Sequence, residues 1–158
     1  EENVLREILF RGFHPDINGD SKAFVNGEWI NGFWVYGYYF KEIGSFIKER
    51  PGSVSTLTYL VLIHTVGQYT GLKDKNGKKI FEGDMVKCYD KNVDESFFAI
   101  IMFGNPNGFY NYGWQLKPIG KTDFNVDILC WVDMEDAGAY IEIIGNIYEN
   151  PELLEDQA

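Results

Sequence analysis

Residues 66–87, VGQYTGLKDKNGKKIFEGDMVK, decide how this chain folds. Two short runs, 66–72 and 79–81, flank Lys73-Asp74-Lys75-Asn76-Gly77-Lys78. Asn-Gly between apolar runs marks a tight hairpin, because both residues tolerate the positive φ such turns require. Glu82-Gly83-Asp84 turns the chain once more, and 85–89 alternates as a strand. The stretch therefore predicts strand, tight turn, strand, turn, strand.

The same grammar extends outward in both directions. Upstream, 4–11 (VLREILFR) reads as a strand ending in the polar turn material HPDINGDSK. A hairpin follows over 23–30 with Asn26-Gly27 at its tip; Asn31-Gly32 then punctuates before the strand 33–40 (FWVYGYYF). Residues 41–52 read as a connection with Pro51-Gly52 as a breaker, and 56–64 as a strand rich in β-branched residues. Downstream, strands are expected at 97–103, 109–117, 128–132 and 140–148, with a turn at 105–108. A short helical turn is expected at 151–154, where Pro151 occupies the first helical position. Short strands at this spacing predict a mainly β fold, a small barrel or sandwich.

Composition agrees. Aromatic residues make up 16% of the 158, and they suit pleated, half-buried surfaces. A chain of this length suits one domain or two small lobes, and it can bury enough surface to need neither metal nor disulfide. Its two cysteines, Cys88 and Cys130, are too few for a disulfide framework and read as reduced thiols of a cytoplasmic protein, with one long-range bridge as the alternative. No basic segment followed by an apolar one stands near the start, and no apolar run approaches the roughly 20 residues of a membrane span.

The net charge of −10 is unevenly placed. Residues 71–91 carry 6 basic and 4 acidic side chains, whereas 92–158 carry 2 basic and 12 acidic. Binding a phosphate backbone needs clustered Lys and Arg. The distribution argues against duplex DNA and leaves one basic island, 71–91, as a surface for single-stranded nucleic acid.

Arg6-Glu7-Ile8-Leu9-Phe10-Arg11, the 66–87 stretch and IIGNIYENPELL at 143–154 together resemble the YopX family, small proteins of bacteriophages and prophages of low-GC Gram-positive bacteria. The resemblance implies two parts: an N-terminal mixed α/β segment with a β-hairpin, taken as 1–65, and a C-terminal SH3-like small β-barrel, taken as 66–158. It implies no catalytic residue, cofactor or metal.

The residues themselves offer little chemistry. His14 and His64 sit in no nucleophile motif, and both cysteines lie in apolar contexts that leave a thiol inert. The two Cys and two His are too widely spaced for a zinc site. Asp16-Ile17-Asn18-Gly19-Asp20 begins like a calcium loop, but Ser21 and Gly27 occupy the positions where glycine and a bidentate Glu are needed. Asp133, Glu135 and Asp136 read as a solvated face. The aromatic run 29–40 is core, an interface with a second copy, or a ligand surface.

Gln68, Tyr69, Thr70, Lys73 and Asp74, with Trp114, are the expected partner-binding set, because loops on a scaffold often carry function. The expectation is a non-enzymatic module that binds a host or phage protein. The alternatives are a single-stranded nucleic-acid binder using the 71–91 hairpin, and an acidic decoy that mimics DNA.

Overall fold

A computed structural model describes residues 8–14, 28–35, 45–48, 58–92, 94–105, 112–120, 126–132 and 138–155. The chain divides into two compact units, 1–71 and 72–158.

In the first unit, strands β1 (Phe10–His14), β2 (Glu28–Val35), β3 (Ser45–Lys48), β4 (Thr58–Val61) and β5 (Gly67–Lys73, which crosses the boundary at Gly71) lie in the order β4-β3-β2-β1-β5. A 3-10 turn, Ile63–Thr65, separates β4 from β5. Phe13 is 1% exposed, and both its backbone groups are engaged. Its N–H donates to Thr65 Oγ1 at 2.9 Å, and its carbonyl accepts the Leu62 N–H at 2.9 Å. Trp29, directly across from Phe13, packs edge-on at 5.4 Å and receives the Arg11 guanidinium over its ring at 4.6 Å.

Three sequence readings are corrected in this unit. The first strand begins at Phe10 and runs on to His14, and Asn31-Gly32 lies inside β2, paired with Arg11 and Phe10. Cross-strand pairing with β1 overrides the local turn signal here. Residues 45–48, taken for connection, form β3 between β2 and β4. Of the segment 1–65, expected to be mixed α/β, the described residues are strand and one 3-10 turn, and the remainder lies outside the described residues. The Asn26-Gly27 tip lies outside the described residues.

The second unit opens with the end of β5, then β6 (Lys79–Phe81). Strands β7 (Asp84–Asp90), β8 (Glu95–Gly104), β9 (Gly113–Pro118) and β10 (Val126–Asp127) form an antiparallel meander, and β11 (Ala139–Asn146) returns beside β7. Alternation builds its core. Val86 and Cys88 of β7, Ala99 and Ile101 of β8, Leu116 of β9 and Ile141 of β11 are at most 4% exposed and cluster with Ile80 and Ile128. Register puts them on one face: Val86 opposes Ala99, Ile101 opposes Leu116, and Cys88 opposes Ile141.

The closed small barrel expected for 66–158 does not form. The order β10-β9-β8-β7-β11 is an open sheet with β10 and β11 at its ends. The strand expected at 128–132 is also corrected: β10 ends at Asp127, and α1 (Leu129–Val132) is a helical turn. Asp127 Oδ1 accepts the Leu129 N–H at 2.9 Å, a side-chain bond that stops the ladder and starts the turn. A second helical turn, α2 (Glu152–Glu155), follows Pro151 as expected.

Candidate functional site

The hairpin of 72–81 is built around Asp74, which is 6% exposed. Its Oδ1 accepts the N–H groups of Asn76 (2.8 Å) and Lys78 (2.9 Å), while its carbonyl accepts the Gly77 N–H at 2.9 Å. Gly77 has φ +78°, whereas Asn76 does not take positive φ. The turn is therefore a type I turn closed by a left-handed glycine, not the two-residue I′ turn that Asn-Gly suggests. Asp74 Oδ2 turns outward to accept the Ile143 N–H of β11 at 3.2 Å, and the Lys75 N–H donates to the Ile141 carbonyl at 2.9 Å. The hairpin thus covers part of the open edge of β11, which would otherwise offer unpaired backbone groups.

A second seam lies close by in sequence. Gly83, at φ +83°, donates its N–H to the Ile101 carbonyl and accepts the Ile147 N–H at 3.0 Å. Asp84 Oδ2 holds the Phe81 N–H at 2.8 Å. Asn146, 6% exposed, folds the chain after β11: its Oδ1 accepts the N–H groups of Tyr148 and Glu149, and its Nδ2 donates to Glu149 at 2.6 Å. The two long strings 66–87 and 143–154 are therefore hydrogen-bonded to one another. Their polar residues hold the fold.

Of the six residues expected to bind a partner, Gln68, Tyr69 and Thr70 belong to the first unit. Tyr69 and Thr70 are 5% and 7% exposed, and the Tyr69 N–H donates to the Leu9 carbonyl at 2.8 Å. Gln68 is half-buried opposite Phe10. Lys73 is exposed, Asp74 is the turn's internal cap, and Trp114 stands on β9, with β8 and β7 between it and β11 in the sheet. A groove beside Lys73, Trp131 and Tyr140 encloses only about 30 Å³. That volume admits two or three waters, not a metabolite.

Lys75, in the middle of the basic island, is committed: its Nζ lies 2.7 Å from Glu142 and 4.3 Å over the Tyr140 ring. The hydrogen bond to Glu142 raises the Lys75 pKa, and its counterpart lowers that of Glu142. Cys88 is fully buried, and loss of hydration pushes its thiol up to about 12, far from nucleophilic use. His14 is half-buried on β1 and His64 exposed in the 3-10 turn. Among the described residues no group of three His, Cys, Asp or Glu side chains could hold a metal ion. Residues 16–20, the cluster Asp133, Glu135 and Asp136, and the aromatic side chains of 33–40 lie outside the described residues.

Sequence reasoning missed an exposed aromatic cluster among the described residues of the second unit. Phe103 (51% exposed) ends the core face of β8, one pleat past Ile101. Directly opposite on β9 stands Trp114, ring centroids 5.0 Å apart at 67°, and Tyr112 (74% exposed) packs on Phe103 at 5.6 Å and 82°. Trp114 Nε1 is shielded from solvent without a hydrogen-bond partner. The signal was present as the aromatics of 109–114, but only the register of β8 with β9 puts Phe103 among them.

The described residues form antiparallel sheets, with Asp74, Asp84 and Asn146 holding their turns. The YopX protein family matches over residues 36–155, about three-quarters of the chain, and the chain belongs to that family. Among solved structures it is similar to protein EF1440 from Enterococcus faecalis, at 20% identity over 94% of this chain and 98% of that one, with a TM-score of 0.45. No curated protein matches it. Among the described residues no helix is long and apolar enough to cross a membrane.

Proposed function

We propose that this protein is a non-enzymatic binding module, an accessory protein of a phage or prophage that acts in the bacterial cytoplasm on a host or phage protein. The observation that carries the reading is the ring cluster of exposed Phe103 and Tyr112 with Trp114, which is half-buried against the core. Aromatic side chains held on paired strands supply large contact area with little entropy to lose, which is how protein interfaces anchor. The partner surface is accordingly moved from the 68–74 segment to this rim, with Trp114 as the residue common to both.

We also read the second unit as an SH3-type sheet that stays open. Its last strand returns beside the first of a four-strand meander, and a helical turn precedes that last strand. Both features favour that topology.

The nucleic-acid alternative draws less support, since Lys75, in the middle of the 71–91 island, is paired with Glu142. Affinity capture with the full chain tests the reading. Phe103→Ala combined with Trp114→Ala should lose the captured protein while the circular dichroism spectrum is kept. Recovery of the same proteins by both forms would refute it.

A further inference from the structure

We propose that Asn76 is a modification site: its side-chain amide is open to spontaneous deamidation, Asp74 holds that reaction in check, and conversion to isoaspartate uncovers the edge of β11.

The chemistry starts from the pair Asn76-Gly77 at the hairpin tip. The backbone nitrogen of Gly77 gives up its proton and attacks the side-chain carbonyl carbon of Asn76. A carbon–nitrogen bond forms within the new ring, the bond to the side-chain nitrogen breaks, and that nitrogen takes up a proton and leaves as ammonia. Water then opens the succinimide ring at one of its two carbonyls, giving aspartate or isoaspartate. Water is the only co-reactant. Glycine in the following position leaves the backbone free to close the ring, because it carries no side chain. Asn76 and Gly77 are both exposed, and a Cβ added to Gly77 would meet nothing within 4 Å.

The fold opposes the first step in two ways. The Gly77 N–H donates to the Asp74 carbonyl at 2.9 Å, a bond that must break before the nitrogen can attack. The Asp74 carboxylate also accepts the N–H groups on either side of Gly77, those of Asn76 at 2.8 Å and Lys78 at 2.9 Å. Its negative charge disfavours the anionic nitrogen and the oxyanion formed by its attack. Asp74 is 6% exposed, so water screens that charge little.

The consequence runs through the same side chain. Isoaspartate carries the main chain through the former side chain and lengthens it by one carbon between residues 76 and 77. The donors that Asp74 collects then no longer fit around it. Asp74 Oδ2 also accepts the Ile143 N–H at 3.2 Å, and the adjacent Lys75 N–H reaches the Ile141 carbonyl at 2.9 Å. A misshapen tip releases both, and the edge of β11 is left with backbone groups ready to pair with another strand.

The test incubates the full chain in mildly alkaline heavy-oxygen water and maps its peptides by mass spectrometry, which separates Asn76 from the chain's other Asn-Gly pairs. Conversion at Asn76 should be at least tenfold slower in the folded chain than in urea, a comparison that needs no variant. Folded Asp74→Asn, which keeps an acceptor oxygen and removes the charge, should convert at least threefold faster than the parent. In fractions with isoaspartate at position 76 alone, the Ile143 amide should exchange hydrogen at least tenfold faster, with the amides of β8 unchanged. No conversion in urea, equal rates folded and unfolded, an unaltered rate in Asp74→Asn, or an Ile143 amide as slow after conversion as before would each overturn the proposal.

Discussion

The carboxylate of Asp74 accepts the backbone N–H of Ile143, 69 residues further along the chain, at 3.2 Å. A residue that reads as a solvated loop tip is thus a staple between a hairpin and the edge strand of a sheet. The same carboxylate also holds Asn76 and Lys78, so one side chain satisfies three donors from two separate segments.

Asp74→Ala should accordingly cost about 2–4 kcal/mol in urea denaturation, because backbone donors are left without a partner in a half-buried place. Asp74→Asn, which keeps one acceptor oxygen, should lose about half as much. Equal losses for the two would show that the charge, not the acceptor geometry, matters.

Gly145 has the opposite problem, a neighbour too close for any side chain. A Cβ there would stand 2.9 Å from Asn150 Cγ and closer still to its Oδ1. Gly145→Ala should cost about 1–3 kcal/mol, and Asn150→Ala should remove much of that cost by clearing the space. Additive losses in the double variant would rule out the contact as the cause.

The Cys88 thiol, raised to about 12, keeps its proton in the folded chain when the unfolded chain has lost it above 9.0. Folding stability should therefore fall between those two pH values, by about 1.4 kcal/mol per pH unit from this group. Cys88→Ala should flatten the slope by that amount. In a Cys130→Ser background, native protein should label with a thiol reagent only as fast as it unfolds.

Glu142 titrates below an ordinary carboxylate because Lys75 hydrogen-bonds its charged form. The stability it contributes is present above the unfolded value of 4.5 and is lost as pH falls through the lower folded value. Carbon-detected NMR titration of Glu142 should show its midpoint return toward 4.5 in Lys75→Met. An unchanged midpoint would mean that another group holds the charge.

Much of this was legible in the residues. The hairpin at 73–78, the strands beginning near 85 and 97, the return strand at 140–148 and the helical turn after Pro151 follow from turn chemistry and period-two alternation, which act over a few residues. Membership of the YopX family was also legible, because the strings 66–87 and 143–154 are long. Where a neighbouring strand supplied the decisive hydrogen bonds, local signals misled: Asn31-Gly32 runs straight through β2, and Asp127 ends the ladder that 128–132 seemed to continue.

The chain's own order of residues determined that it would be made of short antiparallel strands joined by glycine and asparagine turns, since backbone preference and side-chain alternation are properties of neighbours. Tertiary structure alone decided which polar side chains hold the fold and which rings stay exposed. Asp74 is consumed by Ile143 and Lys75 by Glu142, whereas Phe103 and Tyr112 stay exposed beside Trp114, which packs against the core. The reason is register: contacts between residues far apart in sequence are set by how strands pair, and pairing is chosen by the burial of the whole sheet.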